Sequence, residues 1–447
     1  MGGIGMSGLA ELLLRMGHQV SGSDLSHNEN IQKLESLGVG FFNEHSGENV
    51  AQFLPDVLVY SSAIRADNPE RAWAVNNKIP VIQRAEMLAE IMRYKRGVAI
   101  AGSHGKTTTT AMCSWLLKEN AFDPTVVIGG RFDSIGSNVS LGKGAWIIAE
   151  SDESDGTLLR LAPEYSILTN VDQEHLDHYG SFEKLKETFS IFLNKIPFYG
   201  KAIVCSDDPH IRELTSQFNK PMLSYGFEKE HKPDFLIEII ELAKESRWNI
   251  ALAKENYERK LGPFLLNYPG RHNVLNATAA IALATELGLK ADNLYKALES
   301  FAGVQRRFQR HGTWNKYNII EDYAHHPKEI KNIIEAVSLS DGKKPVVLFQ
   351  PHRYSRMRDL WPDFTSCFDE AREVFSLPVY RASEKEEDWQ KDFSSERFAQ
   401  ATNIKNTYAE SFSELLQLLK SRSSDSETLL ILGAGDIGRQ MLKRMGL

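Results

Sequence analysis

The run Gly102-Ser-His-Gly105-Lys106-Thr107 follows an apolar segment, Val98 to Ala101, and opens onto a stretch of threonines that reads as the start of a helix. A glycine turn passing from a buried strand directly into a helix belongs to parallel α/β sheets, where each helix carries the chain back across the sheet face. Backbone N–H groups of such a turn, with the helix N-terminus, can cradle phosphates. Lys106 adds a positive charge, and the hydroxyl of Thr107 can hold Mg²⁺. The segment therefore predicts an ATP site, carried by Gly102, Ser103, His104, Gly105, Lys106, Thr107 and Thr108. It departs from the strict pattern G-x-x-x-x-G-K-[ST], because Ile100 stands five positions before Gly105. A plain glycine turn with a solvated lysine is the bland alternative.

Short β-branched runs alternate with helical patterns along most of the chain, the signature of parallel sheets covered by helices. In residues 1–83, Leu9 to Met16 reads as a helix, and 18–24 and 56–64 as strands. Residues 84–302 open with a helix over 84–96 and the glycine turn. Strands follow at 125–130, 146–151, 165–171 and 202–208, then an antiparallel-flavoured region near 232–266 and an Ala-rich helix from Asn273 to Leu287. Residues 303–447 show strands at 318–326, 346–352, 373–380 and 429–436. The expected fold class is α/β in three domains, which suits a length of 447 residues at about 150 per domain.

Fifty-two basic against 59 acidic residues give 52 − 59 = −7, so no global field draws the chain to nucleic acid or to an anionic membrane. Cys113, Cys205 and Cys367 are odd in number and far apart, which suits reduced thiols better than a disulfide framework. The chain lacks both a signal-peptide pattern and the roughly 18 to 20 apolar residues of a membrane span, so a cytoplasmic location is expected.

A Mg²⁺ nucleotide needs further oxygen ligands, and Glu150 ends the apolar run Trp146 to Ala149, where ligands bind in an open α/β sheet. Asp152, Glu153 and Asp155 read as a solvated acidic loop. His175 lies just beyond another strand, as a metal-ligand candidate or an exposed loop histidine. Gly3-Ile-Gly5-Met-Ser-Gly8 is a literal G-x-G-x-x-G with Asp24 at ribose-ligand distance, although only Met1 and Gly2 precede it. A second match, Gly433-Ala-Gly435-Asp-Ile-Gly438, reads as a structural strand-to-helix turn that could still touch substrate. Asn273 and Asn276 share a helix face, and could read an adenine edge or simply cap. Arg306 and Arg307 are either phosphoryl-stabilising cations or a basic linker. Asp322, His325 and His326, with Arg353 and Arg356, cluster near predicted strand ends, and the arginines suit a carboxylate substrate.

Taken together, GGIGMSG, SGSD, SSAIRADNPE, AGSHGKTTTT, AESDES, TNVDQEHLDHYG, GRHNVLNA, RRF, EDYAHHP, FQPHRYSRMRD and LGAGDIG resemble the Mur ligases, in the family order and over nearly the whole chain. The resemblance implies a Rossmann-like UDP-substrate domain (1–83), a central P-loop ATPase-type domain (84–302) and a C-terminal Rossmann-like domain that receives the amino acid (303–447). It implies that ATP phosphorylates the lactyl carboxylate of UDP-N-acetylmuramic acid and that L-alanine attacks the acyl phosphate, in the synthesis of peptidoglycan precursors. By position, Lys106 would contact the β- and γ-phosphates, Thr107 and Glu150 would bind Mg²⁺, and His175 a second metal. His272, Asn273, Asn276 and Asp322 would hold the nucleotide, and Arg307 the phosphates. His326, Arg353 and Arg356 would face the alanine, and Gly3, Gly5, Met6, Ser7, Asp24, Ser61 and Ser62 would line the UDP-sugar site. A monomer or weak homodimer is expected.

Members of the family carry an apolar strand and a further glycine ahead of GGIGMSG, so a protein made from Met1 is expected to have a weakened UDP-substrate domain with its first strand missing. Among the alternatives, a ligase for recycled murein tripeptide is disfavoured by GGIGMSG, and a folylpolyglutamate-type synthetase by the N-terminal block. A nucleotide-binding regulator would leave Glu150, His175 and Arg307 without roles. A dehydrogenase would need complete fingerprints at one of the glycine motifs.

Overall fold

In a computed structural model of the chain, the structure describes residues 1–61, 63–132, 137–151, 153, 157–174, 176–382, 384–422 and 427–447. The chain divides into two compact units. One holds Met1–Glu238, Ile250–Gly262 and Leu275–Ala302; the other holds Ile239–Asn249, Pro263–Val274 and Gly303–Leu447. This division does not separate the first 83 residues from those that follow.

The N-terminal residues form two parallel strand pairs, β1 (Ser21–Ser23) with β2 (Gly40–Phe42) and β3 (Leu58–Tyr60) with β4 (Val81–Gln83). Among the described residues these pairs are separate, so the single Rossmann sheet expected for this block is observed as two halves. β3 and β4 are only half-buried, and the helix Ile4–Arg15 starts directly from Gly3.

The large sheet contains β5 (Arg96–Ala101), β6 (Thr125–Phe132), β7 (Ser137–Ser140), β8 (Trp146–Glu150), β9 (Tyr165–Leu168), β10 (Lys201–Cys205), β11 (Met222–Gly226), β12 (Phe235–Leu242), β13 (Ser246–Leu252) and β14 (Lys260–Leu266). Its order is β14-β13-β12-β11-β10-β9-β5-β8-β6-β7. β5 lies between β8 and β9, parallel to both, and Val98 to Ala101 are wholly buried. Burial on both faces explains why this strand reads as a continuous apolar run rather than an alternating one. The helix Lys106–Glu119 follows it and buries Thr109, Thr110, Met112, Cys113, Leu116 and Leu117. At about 1.5–3 kcal/mol for each large apolar side chain, this packing fixes where the helix begins.

In the second unit, β15 (Gln309–Trp314), β16 (Tyr317–Asp322), β17 (Val346–Phe349), β18 (Glu373–Ser376), β19 (Asn406–Tyr408) and β20 (Glu427–Leu432) form a sheet of order β15-β16-β20-β17-β18-β19. Only β15 among them pairs antiparallel, with β16. One apolar core includes Ile330, Ile334, Phe349, Phe364 and Leu430, and another includes Tyr317, Leu348, Leu415, Ile431 and Met441. Cys113, Cys205 and Cys367 are free thiols, all buried. No helix among the described residues is long and apolar enough to cross a membrane.

Candidate active site

The glycine turn sits at the carboxyl end of β5, and two of its glycines are required by geometry. Gly105 caps the helix in a left-handed conformation, φ 80°, and a Cβ there would stand 2.5 Å from Asn276 Oδ1. Gly102 has φ 129°, and its Cβ would meet Thr169 Oγ1 at 2.2 Å. The segment just past neighbouring β9 supplies the supports. Asn170 Oδ1 accepts from the N–H of His104 at 2.8 Å, Thr169 Oγ1 donates to the carbonyl of His104 at 2.7 Å, and Ser103 Oγ accepts from the N–H of Asp172 at 2.8 Å. His104 Nε2 lies 3.3 Å from Asp172 Oδ2. Thr169, Asn170 and Asp172 escaped the sequence reading. Their signals were position, at the end of an apolar strand, and membership of the segment TNVDQEHLDHYG.

The Lys106 ammonium donates to the carbonyls of Gly102 (2.6 Å) and Ser103 (3.0 Å) and to Glu153 Oε1 (2.7 Å). Glu153 is wholly buried, which corrects its expected place in a solvated acidic loop. A carboxylate survives there because a cation meets it. Asp152, Asp155 and His175 lie outside the described residues. Thr107 Oγ1 donates to Glu150 Oε1 at 2.9 Å, and the N–H of Gly129 donates to Glu150 Oε2 at 2.7 Å. A hydroxyl and a carboxylate gathered beside a phosphate-type turn form an oxygen donor set that fits a hard divalent cation. Thr108 is half-buried on the first helical turn.

Asn276 packs against the glycine turn. Asn273 donates its Nδ2 to the carbonyl of Pro269 at 2.8 Å, which ties its amide to the chain just ahead of the helix Arg271–Glu286. Desolvation pushes the His272 imidazole down to about 4; Glu329 opposes this and Arg307 adds to it.

At the N-terminus, Gly3 precedes the first turn of its helix, where the N–H of Ser7 donates to the Gly3 carbonyl at 2.9 Å. Ser7 is buried and Met6 half-buried, and a Cβ on Gly5 would stand 3.1 Å from the Arg84 guanidinium. Arg84 is a fourth residue that the sequence reading left unnamed. Asp24 follows β1 and accepts from the N–H of Gly2 at 2.7 Å and from the Met1 amine at 2.9 Å. Against desolvation, these bonds hold its carboxyl down to about 2. Ser61 follows β3 directly, and Ser62 lies outside the described residues. Strand ends of this kind are where an open α/β sheet binds ligands.

In the second unit, Asp322 ends β16, accepting from the N–H groups of Phe308 and Ala324, each at 2.8 Å. Desolvation raises it to about 6, with Arg307 acting against the rise. His326 caps the helix Pro327–Asp341, its Nδ1 accepting from the N–H of Lys328 at 3.3 Å. Arg353 sits at φ 71° after β17, and Arg356 donates to the carbonyl of His352 at 3.1 Å. Glu384 receives the N–H groups of Tyr354 (2.6 Å) and Ser355 (3.1 Å), which ties down the segment that carries both arginines. Arg306 is hydrogen-bonded to Glu321 at 3.0 Å, which removes the reading of a basic linker for that residue.

Three family models match the chain: "Mur ligase family, catalytic domain" over residues 1–96, "Mur ligase middle domain" over 100–284, and "Mur ligase, glutamate ligase domain" over 306–435. A UDP-N-acetylmuramate--L-alanine ligase from Methylobacterium nodulans is 41% identical over 98% of this chain and 93% of its own length. One of the same name from Solidesulfovibrio magneticus is 43% identical, over 98% and 94%. The crystal structure of UDP-N-acetylmuramate-alanine ligase from Thermotoga maritima superposes with a TM-score of 0.79 at 31% identity, covering 99% of this chain and 97% of that one. With a phosphate-type turn, an acidic strand end beside it and likeness over nearly the full length, the chain belongs to the Mur ligase family.

Proposed function

We propose that the protein is an ATP-dependent ligase that joins L-alanine to the lactyl carboxylate of UDP-N-acetylmuramic acid, an amide-forming step in peptidoglycan synthesis. The observation that carries this reading is the match over 98% of the chain to relatives bearing the name of that reaction. The chemistry of the glycine turn agrees with it. A carboxylate cannot expel oxide, so its oxygen first attacks the γ-phosphorus of ATP and ADP leaves. The alanine nitrogen then adds to the acyl carbon, and phosphate departs as the amide forms.

Phosphoryl transfer depends mostly on positioning and charge neutralisation. In this reading the N–H groups of Gly102 to Thr108 hold the phosphates, and Lys106 turns its ammonium toward them. Thr107 and Glu150, with His175, would hold magnesium, which supplies neutralising charge at the phosphate oxygens. Arg307 stabilises the transferring phosphoryl group. His272, Asn273, Asn276 and Asp322 serve the nucleotide; Gly3, Gly5, Met6, Ser7, Asp24, Ser61 and Ser62 serve the UDP-sugar; His326, Arg353 and Arg356 orient alanine. We place the three domains at 1–83, 84–302 and 303–447 and the protein in the cytoplasm.

The test is a mass-spectrometric assay with Mg²⁺-ATP, UDP-N-acetylmuramic acid and an equimolar mixture of L-alanine and murein tripeptide. The expected product is the nucleotide heavier by one alanine residue, formed only with ATP. A tripeptide adduct would move the assignment to a recycling ligase, and phosphate release without an adduct would contradict the ligase reading.

A further inference from the structure

The backbone is bent on both sides of Arg307. Arg306 has φ 58° and Phe308 φ 48°, left-handed conformations that a residue with a side chain adopts only against steric resistance. Such conformations persist only where the surroundings over-determine them. Here Arg306 donates through Nε to Glu321 Oε1 at 3.0 Å, and through Nη2 to the carbonyls of Gly433 at 2.7 Å and Gly435 at 2.9 Å. Its N–H donates to Gln309 Oε1 at 2.8 Å, and its carbonyl accepts from the N–H of Tyr323 at 2.8 Å. On the far side, the N–H of Phe308 is held by Asp322 Oδ2 at 2.8 Å. The guanidinium groups of Arg306 and Arg307 lie over the Tyr323 ring, 4.8 and 5.0 Å from its centroid.

The carboxylate in this arrangement is itself fixed. Glu321 is buried, and its second oxygen lies 3.0 Å from His311 Nε2. Gly438 makes room for it, since a Cβ there would stand 1.8 Å from Glu321 Oε1. The C-terminal glycine motif therefore has a polarity opposite to that of a phosphate cradle. A cradle presents N–H groups to an anion, whereas Gly433 and Gly435 present carbonyls to a cation.

We propose that Arg306 is the positioning residue for Arg307, and that the turn Gly433–Gly435, with Glu321, is the anchor that fixes it. The proposal rests on the reading of Arg307 as the cation of phosphoryl transfer. Arg306 fixes the backbone from which Arg307 projects, and a displacement of about 1 Å at such a group lowers a rate by about 100-fold.

The test is a double-mutant cycle on the full-length protein in the alanine-ligation assay, with Arg306→Ala, Arg307→Ala and the double variant, each checked by thermal melting. Arg306→Ala is expected to lower kcat about 100-fold while KM for ATP moves less than about threefold. In the Arg307→Ala background the same change is expected to cost less than about threefold, because the residue it positions is gone. Equal losses in both backgrounds would overturn the proposal while leaving the Arg307 reading intact. An unchanged kcat in Arg307→Ala would overturn that reading, and the proposal with it. Should Arg306→Ala fail to fold, Arg306→Lys and Gly438→Ala carry the same test. Arg306→Lys keeps the charge without the planar fork, and Gly438→Ala displaces Glu321; each is expected to lower kcat about tenfold. Wild-type kcat in either folded variant would overturn the proposal.

Discussion

The Lys106 ammonium lies 2.7 Å from the Glu153 carboxylate, so the cation of the glycine turn is paired with a wholly buried anion. The Lys106 side chain is itself only 15% exposed. Breaking a buried pair by removing one member costs about 3–5 kcal/mol, because the other charge keeps its desolvation penalty. Glu153→Ala should therefore lower the melting temperature by several degrees and raise KM for ATP about tenfold, since Lys106 loses its placement. Glu153→Gln, which keeps a hydrogen-bond acceptor, should lose less of both. Unchanged melting and KM in Glu153→Ala would show that the carboxylate does neither job.

At the helix start, Gly105 combines φ 80° with a Cβ position 2.5 Å from Asn276 Oδ1. Gly105→Ala thus meets two penalties, backbone strain of about 1 kcal/mol and a steric clash. The double variant Gly105→Ala with Asn276→Ala relieves only the clash. Thermal melts should show a large loss for the single Gly105 variant and partial recovery in the double one. Losses that simply add would mean that Asn276 does not press on the turn.

Thr107 and Glu150 meet at 2.9 Å. Thr107→Val keeps the shape but deletes the hydroxyl, so kcat should fall about 100-fold and the Mg²⁺ concentration giving half-maximal rate should rise. Thr107→Ser should restore most of both. A Mg²⁺ titration of the ligation rate checks this, and a curve for Thr107→Val that overlays the wild type would remove Thr107 from the metal site.

Much of this is legible in the sequence, and for physical reasons. β5, β8, β17 and β20 are buried apolar runs, and a sheet interior leaves few other ways to place them. The glycine turn was legible because its left-handed residues require glycine. β2, β4, β7, β11, β15 and β19 were missed; β15 reads QRHGTW, with no apolar run to mark it. Glu153 was misread because a carboxylate three residues past a strand looks solvated until a distant lysine is known to meet it. Thr169, Asn170 and Asp172 act on the glycine turn across about 65 residues of sequence, a relation created by β9 pairing with β5 rather than by spacing. Arg306 and the 433–438 motif were both noticed, yet their contact spans the second unit and has no local signature.

The last prediction concerns pH. Asp322 has an ordinary value of 3.8 and is raised to about 6 by desolvation; His272 has an ordinary value of 6.5 and is lowered to about 4 by the same cause. For Asp322 the folded state binds the extra proton, so its contribution to stability is full below 3.8 and is lost as pH rises through about 6. For His272 the unfolded chain binds the extra proton, so its contribution is full above 6.5 and is lost as pH falls through about 4. Over the shared window, about one proton is exchanged in each direction, and the two effects oppose one another. Removing either group should expose the other. The stability advantage of wild type over Asp322→Asn should be greater near about pH 4 than near about pH 6.5, and the advantage over His272→Asn should change in the opposite sense. Urea unfolding across that range measures both differences. Slopes of the same sign for the two variants would mean that at least one group is not desolvated in the folded protein as its surroundings require.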